Sequence, residues 1–364
     1  MAGGIDQGLA VFDAPRAAVE PLLRSLRMVN TAADALFYDV GVLWQQLFAR
    51  GIRVSTAIDA AAPARRAQIA AFEKMAAHVV NLSAVTDPEG VILVVDAQHA
   101  PFIERYGDVR EFLKDGLEFA GTDEGTPPTP TTGKIRTVSV TGVGSSALGS
   151  AAFAWNVSEA LGEPVAAIVP GYGLADIIPQ GLSGFFGYGL ADYVRELSEQ
   201  ALAVMAPQMA TIGRRLSRSI PEPAPRAAGE GPAFRRGSPE SDILHAILKH
   251  APQITRLYGH SKGSLCIGNA INGLDPDRAK ELEITTFSAV IEEEGSAHFN
   301  QILGRIDPLG QLNSWGNLPE RWIEAWHSTN SMLPLTVPVS KLTIEALQSA
   351  PHPVPSLPTG SVSH

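Results

Sequence analysis

From residue 134 onward the chain repeats one unit: a short apolar run, a tight turn, then a helical stretch. Residues 138–143, 165–169, 254–258, 284–291 and 299–306 are the apolar runs; residues 144–162 and 241–249 are helical stretches between them. Short apolar strands alternating with helices fit a sheet covered on both faces. Strands joined through helices run parallel, because a tight turn can only reverse the chain. The expected fold class is therefore α/β, a mostly parallel central sheet with helices on both faces.

The rhythm fails in two places. Between Gly171 and Ser241 a Gly-aromatic stretch leads into a long amphipathic segment. An insertion of that size between two strands reads as a helical cap over one end of the sheet, at about residues 172–240. Its Phe185, Phe186, Tyr188, Leu190, Met205 and Met209 suit the underside of the cap and an apolar ligand equally. Ahead of the Gly/Pro/Thr-rich break at 121–133 the chain looks mainly helical. Residues 17–29, 32–49 and 64–82 carry apolar side chains at helical spacing, with one good strand at 91–95 and a weaker one at 51–58. The expected organisation is a mainly helical region (1–125), a core (126–345) interrupted by the cap, and a flexible Pro-rich tail (346–364).

The sharpest local signal is Gly259-His260-Ser261-Lys262-Gly263. In a G-x-S-x-G bend the serine sits on a sharp strand-to-helix turn, and small residues two positions away let neighbouring chains approach. The pattern recurs by chance, so its setting decides. Ile254-Thr255-Arg256-Leu257-Tyr258 enters as a strand, and residues 264–271 leave as a helix. Ser261 is thus the candidate nucleophile.

With this elbow the chain resembles the α/β-hydrolase superfamily, its lipase and esterase branches above all, over roughly residues 134–345. The resemblance implies the chain order nucleophile, acid, histidine, and the later residues fit that order. His327, in Trp326-His327-Ser328-Thr329-Asn330, follows the last strand pattern, where a loop carrying a general base is expected. His352 and His364 lie in the Pro-rich tail, and His298 precedes a strand at the wrong end of a parallel sheet. Asp307 closes the run 299–306 and opens an Asp-Pro turn, the usual place for the acid in such proteins; its plain alternative is a turn-capping aspartate. The run Glu292-Glu293-Glu294 reads as a solvated loop, and Asp275 and Asp277 as turn formers. The oxyanion hole the resemblance implies takes one backbone N–H from Lys262 and a second from the loop after residues 138–143, at Val143 or Gly144.

The implied activity is cleavage of carboxylic esters, with the cap favouring lipid-like ones. An acyltransferase on the same triad, or a non-catalytic binding protein on the same fold, are the alternatives. No cofactor is expected. Gly142-Val143-Gly144 begins a dinucleotide-type pattern, but Ala147 stands where its third glycine belongs. The formal net charge of −10 opposes nucleic-acid binding, the basic clusters at Arg214, Arg215, Arg218, Arg235 and Arg236 reading as solvated surface. No run approaches the roughly 20 apolar residues of a membrane span. A single cysteine, Cys266, excludes an intrachain disulfide, and with no visible secretory signal a cytoplasmic setting is expected.

Overall fold

A computed structural model describes residues 33–58, 91–99, 102–122, 130–142, 145–169, 239–272, 274–292, 297–314 and 316–349. The expected cap, the helices at 17–29 and 64–82 and the C-terminal tail lie wholly or almost wholly outside these residues.

The framework is an eight-stranded sheet, in the order β10-β9-β8-β7-β5-β6-β1-β2. Its strands are β1 (Ile92–Val95), β2 (Ile103–Tyr106), β5 (Thr137–Val140), β6 (Val165–Ile168), β7 (Arg256–His260), β8 (Glu283–Phe287), β9 (His298–Gly304) and β10 (Arg321–Ile323). From β6 to β10 every pairing is parallel; β1 runs antiparallel to both β6 and β2. A separate hairpin joins β3 (Glu118–Thr122) to β4 (Pro130–Lys134).

Both faces are covered, as the apolar runs require. Val165 and Ala167 of β6 join one buried cluster, while Ala166 and Ile168 join the other. β1 splits in the same way, with Leu93 and Val95 on one side and Ile92 and Val94 on the other. Successive strand side chains point to opposite faces, so these two doubly covered strands are apolar at every position. The first cluster lies under α1 (Val40–Ile58), α3 (Ala147–Leu161) and α8 (Val339–Ser349). The second lies under α2 (Val109–Asp115), α4 (Pro239–His250) and α5 (Lys262–Ile271). Two short helices, α6 (Pro276–Lys280) and α7 (Pro308–Asn313), each start on a proline behind an aspartate cap.

Several expected elements shift. Residues 51–58 are the last turns of α1 rather than a strand. Their β-branched residues continue a helix already committed by Val40, Leu43 and Leu47, which line its buried face. The helix expected at 32–49 is two pieces, a short turn over 33–37 and then α1, separated at Tyr38-Asp39. The run 284–291 stops as a strand at Phe287, because Ser288 turns with φ 57°. The N-terminal region also supplies β2 and β3, which the sequence did not announce.

Candidate active site

In a parallel sheet all strands end on the same edge, and β5, β7, β8, β9 and β10 do so here. Loops leaving that edge converge, which is why open α/β sheets place their sites there. The loops after β7, β9 and β10 carry Ser261, Asp307 and His327 respectively.

Ser261 occupies the bend between β7 and α5 with φ 54° and ψ −125°. That positive-φ conformation is suited to glycine and costly to a residue with a Cβ. Neighbours hold it there. Its N–H donates to the Phe287 carbonyl at 2.9 Å, and its carbonyl accepts from Ser264 N–H at 3.0 Å. The flanking glycines are a packing necessity. A Cβ on Gly259 would lie 2.7 Å from Ser264 Cα, and one on Gly263 would overlap the Val140 carbonyl.

Ser261 Oγ lies 2.9 Å from His327 Nε2, though 66 residues separate them in sequence. On the other side of the ring, His327 Nδ1 lies 2.8 and 3.0 Å from the two Asp307 carboxylate oxygens. A carboxylate only accepts, so Nδ1 carries the proton and Nε2 is left to accept from the serine hydroxyl. Asp307 is completely buried, whereas His327 and Ser261 are 7% and 8% exposed. The line thus starts at a fully enclosed acid and ends at a residue that keeps a little exposure. Asp307 also caps a turn, the plain alternative its sequence position offered: Oδ1 accepts from Gly310 N–H at 2.7 Å at the start of α7.

Lys262 begins α5 directly after Ser261, where the helix dipole presents positive potential. Its ammonium lies 3.9 Å from the buried Glu240 carboxylate. Val143 and Gly144 lie outside the described residues. Gly142, just before them, lies beside the serine: a Cβ built on it would lie 3.6 Å from Ser261 Oγ. Of the rejected candidates, His298 opens β9 at the opposite edge and is exposed; Glu293, Glu294, His352 and His364 lie outside the described residues.

The sequence missed a brace. The helical turn 33–37 ends at Tyr38, and a helix end leaves its last carbonyls without intrahelical donors. The loop after His327 takes them up. Ser328 Oγ donates to the Leu36 carbonyl, Thr329 N–H and Oγ1 to that of Phe37, and Asn330 Nδ2 to that of Ala35, all at 2.7–2.9 Å. Asp39 accepts from Ser331 N–H and Oγ, at 2.6 and 2.7 Å, and through its other oxygen from Asn156 of α3 at 2.6 Å. Asp34 accepts from Ser146 N–H at 2.8 Å, and burial raises its carboxyl to about 7. His260 is also more than an elbow residue: it is buried, 2.9 Å from the His327 carbonyl, and burial with His327 nearby lowers its imidazole to about 3. No local pattern flags these contacts, whose partners lie more than 100 positions apart in Asp34 and nearly 300 in the His327 loop.

Among the described residues no cluster of His, Cys, Asp and Glu could hold a metal ion, and no helix is long and apolar enough to cross a membrane. No protein-family model, curated protein or solved structure matches the chain.

Proposed function

We propose that this protein is a serine hydrolase of the α/β-hydrolase kind, cleaving carboxylic esters through an acyl-enzyme. The observation that carries this reading is the unbroken line Asp307–His327–Ser261, built from three separate loops at one sheet edge, with Ser261 held in a strained bend. The sheet order, with one antiparallel strand second from its edge, supports the same fold. Three independent loops converging at hydrogen-bonding distance, in the order acid, base, hydroxyl, meet the geometric demand of nucleophilic catalysis.

In this mechanism Ser261 Oγ attacks the ester carbonyl carbon while His327 Nε2 takes its proton. Asp307 keeps the imidazole in the right tautomer and stabilises the imidazolium that forms. The tetrahedral oxyanion is held by Lys262 N–H and by a donor from the Val143-Gly144 loop. Its collapse expels the alcohol, which leaves with the proton from His327. Water, deprotonated by the same nitrogen, then attacks the acyl-enzyme; the acyl–oxygen bond breaks, Ser261 Oγ takes the proton from His327, and the acid is freed. The substrate class is a lipid-like or small-molecule ester, used without a cofactor, in a cytoplasmic setting.

A fluorophosphonate probe tests this directly. The parent protein is expected to be labelled on Ser261 and to hydrolyse p-nitrophenyl butyrate, and Ser261→Ala to do neither. A folded parent that stays unlabelled and inert refutes the proposal.

A further inference from the structure

The Tyr38 hydroxyl lies at the centre of the site without touching any of the three catalytic side chains. It is 3.0 Å from His260 Nδ1, 2.9 Å from Gly142 N–H and 3.0 Å from Ser145 Oγ. Proton bookkeeping fixes the direction of each bond. The His327 carbonyl beside His260 Nε2 can only accept, so Nε2 carries the ring proton. The buried imidazole is neutral, and Nδ1 must therefore accept. Tyr38 spends its one proton there, which leaves both its lone pairs for Gly142 N–H and Ser145 Oγ–H. Every hydrogen-bonding valence of the phenol oxygen is used.

We infer that Tyr38 is a positioning residue for hydrolysis, one oxygen setting the Gly142 backbone beside Ser261 and the catalytic histidine against each other. On one side it fixes Gly142, on which a Cβ would lie 3.6 Å from Ser261 Oγ. On the other it fixes the His260 ring, whose Nε2–H holds the backbone carbonyl of His327. The two halves come from loops after β5 and β10, which share no pairing in the sheet. His260 ends β7, the direct neighbour of β5, and Tyr38 adds to that pairing a tie from 222 positions away in sequence. The inference rests on the hydrolase reading and adds to it the device that holds the Gly142 backbone and the base in register. It also explains why the helical turn over 33–37 stops where it does. Asp34 and Ala35–Phe37 hold the same two loops, so a continuous helix through Tyr38 could not serve both.

Tyr38→Phe is the test. The ring keeps its edge-on packing against Phe153 and His260, at centroid distances of 6.2 and 5.3 Å, and only the hydroxyl is lost. A shift of about 1 Å in a catalytic group can cost roughly 100-fold in rate. The expected result is therefore a kcat on p-nitrophenyl butyrate lowered about 10- to 100-fold, with KM within about threefold. Val165→Ala provides the stability comparison. Val165 lies in the same apolar cluster as Tyr38 but at the start of β6, on the sheet edge opposite the site, and its truncation should lower Tm while leaving kcat within about twofold. A purely structural Tyr38 would lower kcat no more than Val165→Ala does at equal Tm loss, and that result overturns the inference. Fluorophosphonate labelling of the parent separates the two failures: a labelled parent with an unaffected Tyr38→Phe removes the inference alone, an unlabelled one removes the hydrolase reading with it. If Tyr38→Phe does not fold, imidazole ¹⁵N spectra of the parent decide. His260 must remain the neutral Nε2–H tautomer from pH 5 to 9, and titration in that window, or the Nδ1–H tautomer, overturns the inference.

Discussion

Asp307→Asn separates the electrostatic role of the carboxylate from its structural one. The amide is nearly isosteric, and its oxygen can still accept from Gly310 N–H, so the turn opening α7 is expected to survive. Two things are lost. With Nδ1 2.8 and 3.0 Å from the carboxylate oxygens, the charge centres of an Asp–imidazolium pair lie about 4 Å apart, which at an effective dielectric near 20 is about 4 kcal/mol. At roughly 1.4 kcal/mol per decade, that alone is nearly a thousandfold in rate. The amide NH2 also faces Nδ1 and favours the tautomer with its proton on Nε2, pointing at a hydroxyl from which it can no longer accept. Together the two effects give an expected loss of about 10⁴ in kcat. The assay is steady-state hydrolysis of p-nitrophenyl butyrate near pH 8, with thermal melts to show that the variant is folded. A folded Asp307→Asn keeping more than a tenth of the parental kcat would refute the assignment, since the carboxylate charge would then contribute little to the step.

Other consequences follow from the same geometry. Gly263→Ala is expected to destabilise by about 3 kcal/mol or more, or to prevent soluble expression, because its Cβ would meet a β5 backbone carbonyl that cannot move aside; urea denaturation reads the loss. Asp34 gives a pH signature. Its carboxyl rises from 3.8 to about 7 in the folded protein, so the unfolded chain releases this proton first, and the stability it contributes is full below about pH 4 and is lost as pH rises through 7. The span corresponds to about 4 kcal/mol at most. Asp34→Asn should therefore flatten the fall in stability between pH 4.5 and 8; parallel curves for parent and variant would show that Asp34 is not the group responsible.

What the sequence made legible is what its local chemistry encodes. Strands buried on both faces and apolar at every position, β1 and β6, could be read directly. The elbow could be read because the packing around Gly259 and Gly263 permits almost nothing else. Asp307 and His327 were reached through the chain order that the resemblance implied, and each lies where a strand gives out into a loop. What stayed hidden was encoded by partners far away. β2 reads Ile-Glu-Arg-Tyr, with two half-buried charged residues, and pairs only at the sheet's edge. β10 is three residues long. The brace at residues 34–39 looks like the middle of a helix, because nothing in Asp-Ala-Leu-Phe-Tyr-Asp says that its carbonyls will be claimed by a loop at residues 328–331. Residues 51–58 misled for the opposite reason: a local β-branched pattern lost to a helix nucleated upstream.

The backbone of Ser261 ties the site's chemistry to its stability in a way that two substitutions can separate. Its φ of 54° and ψ of −125° cost a residue with a Cβ about 1–3 kcal/mol, and the neighbouring hydrogen bonds and the close approach of Gly263 to β5 hold it there. Ser261→Ala and Ser261→Gly both remove the hydroxyl and its bond to His327, so both should be inactive. Only the glycine also relieves the strain. Against that gain stands the greater freedom of glycine in the unfolded chain, about 0.5–1 kcal/mol. Ser261→Gly is thus expected to be more stable than Ser261→Ala by about 1 kcal/mol, read as a shift in the urea midpoint at unchanged slope. A glycine variant equal to or weaker than the alanine variant would mean that the bend stores no strain, and that the serine is held in place by its side chain rather than by the fold around it.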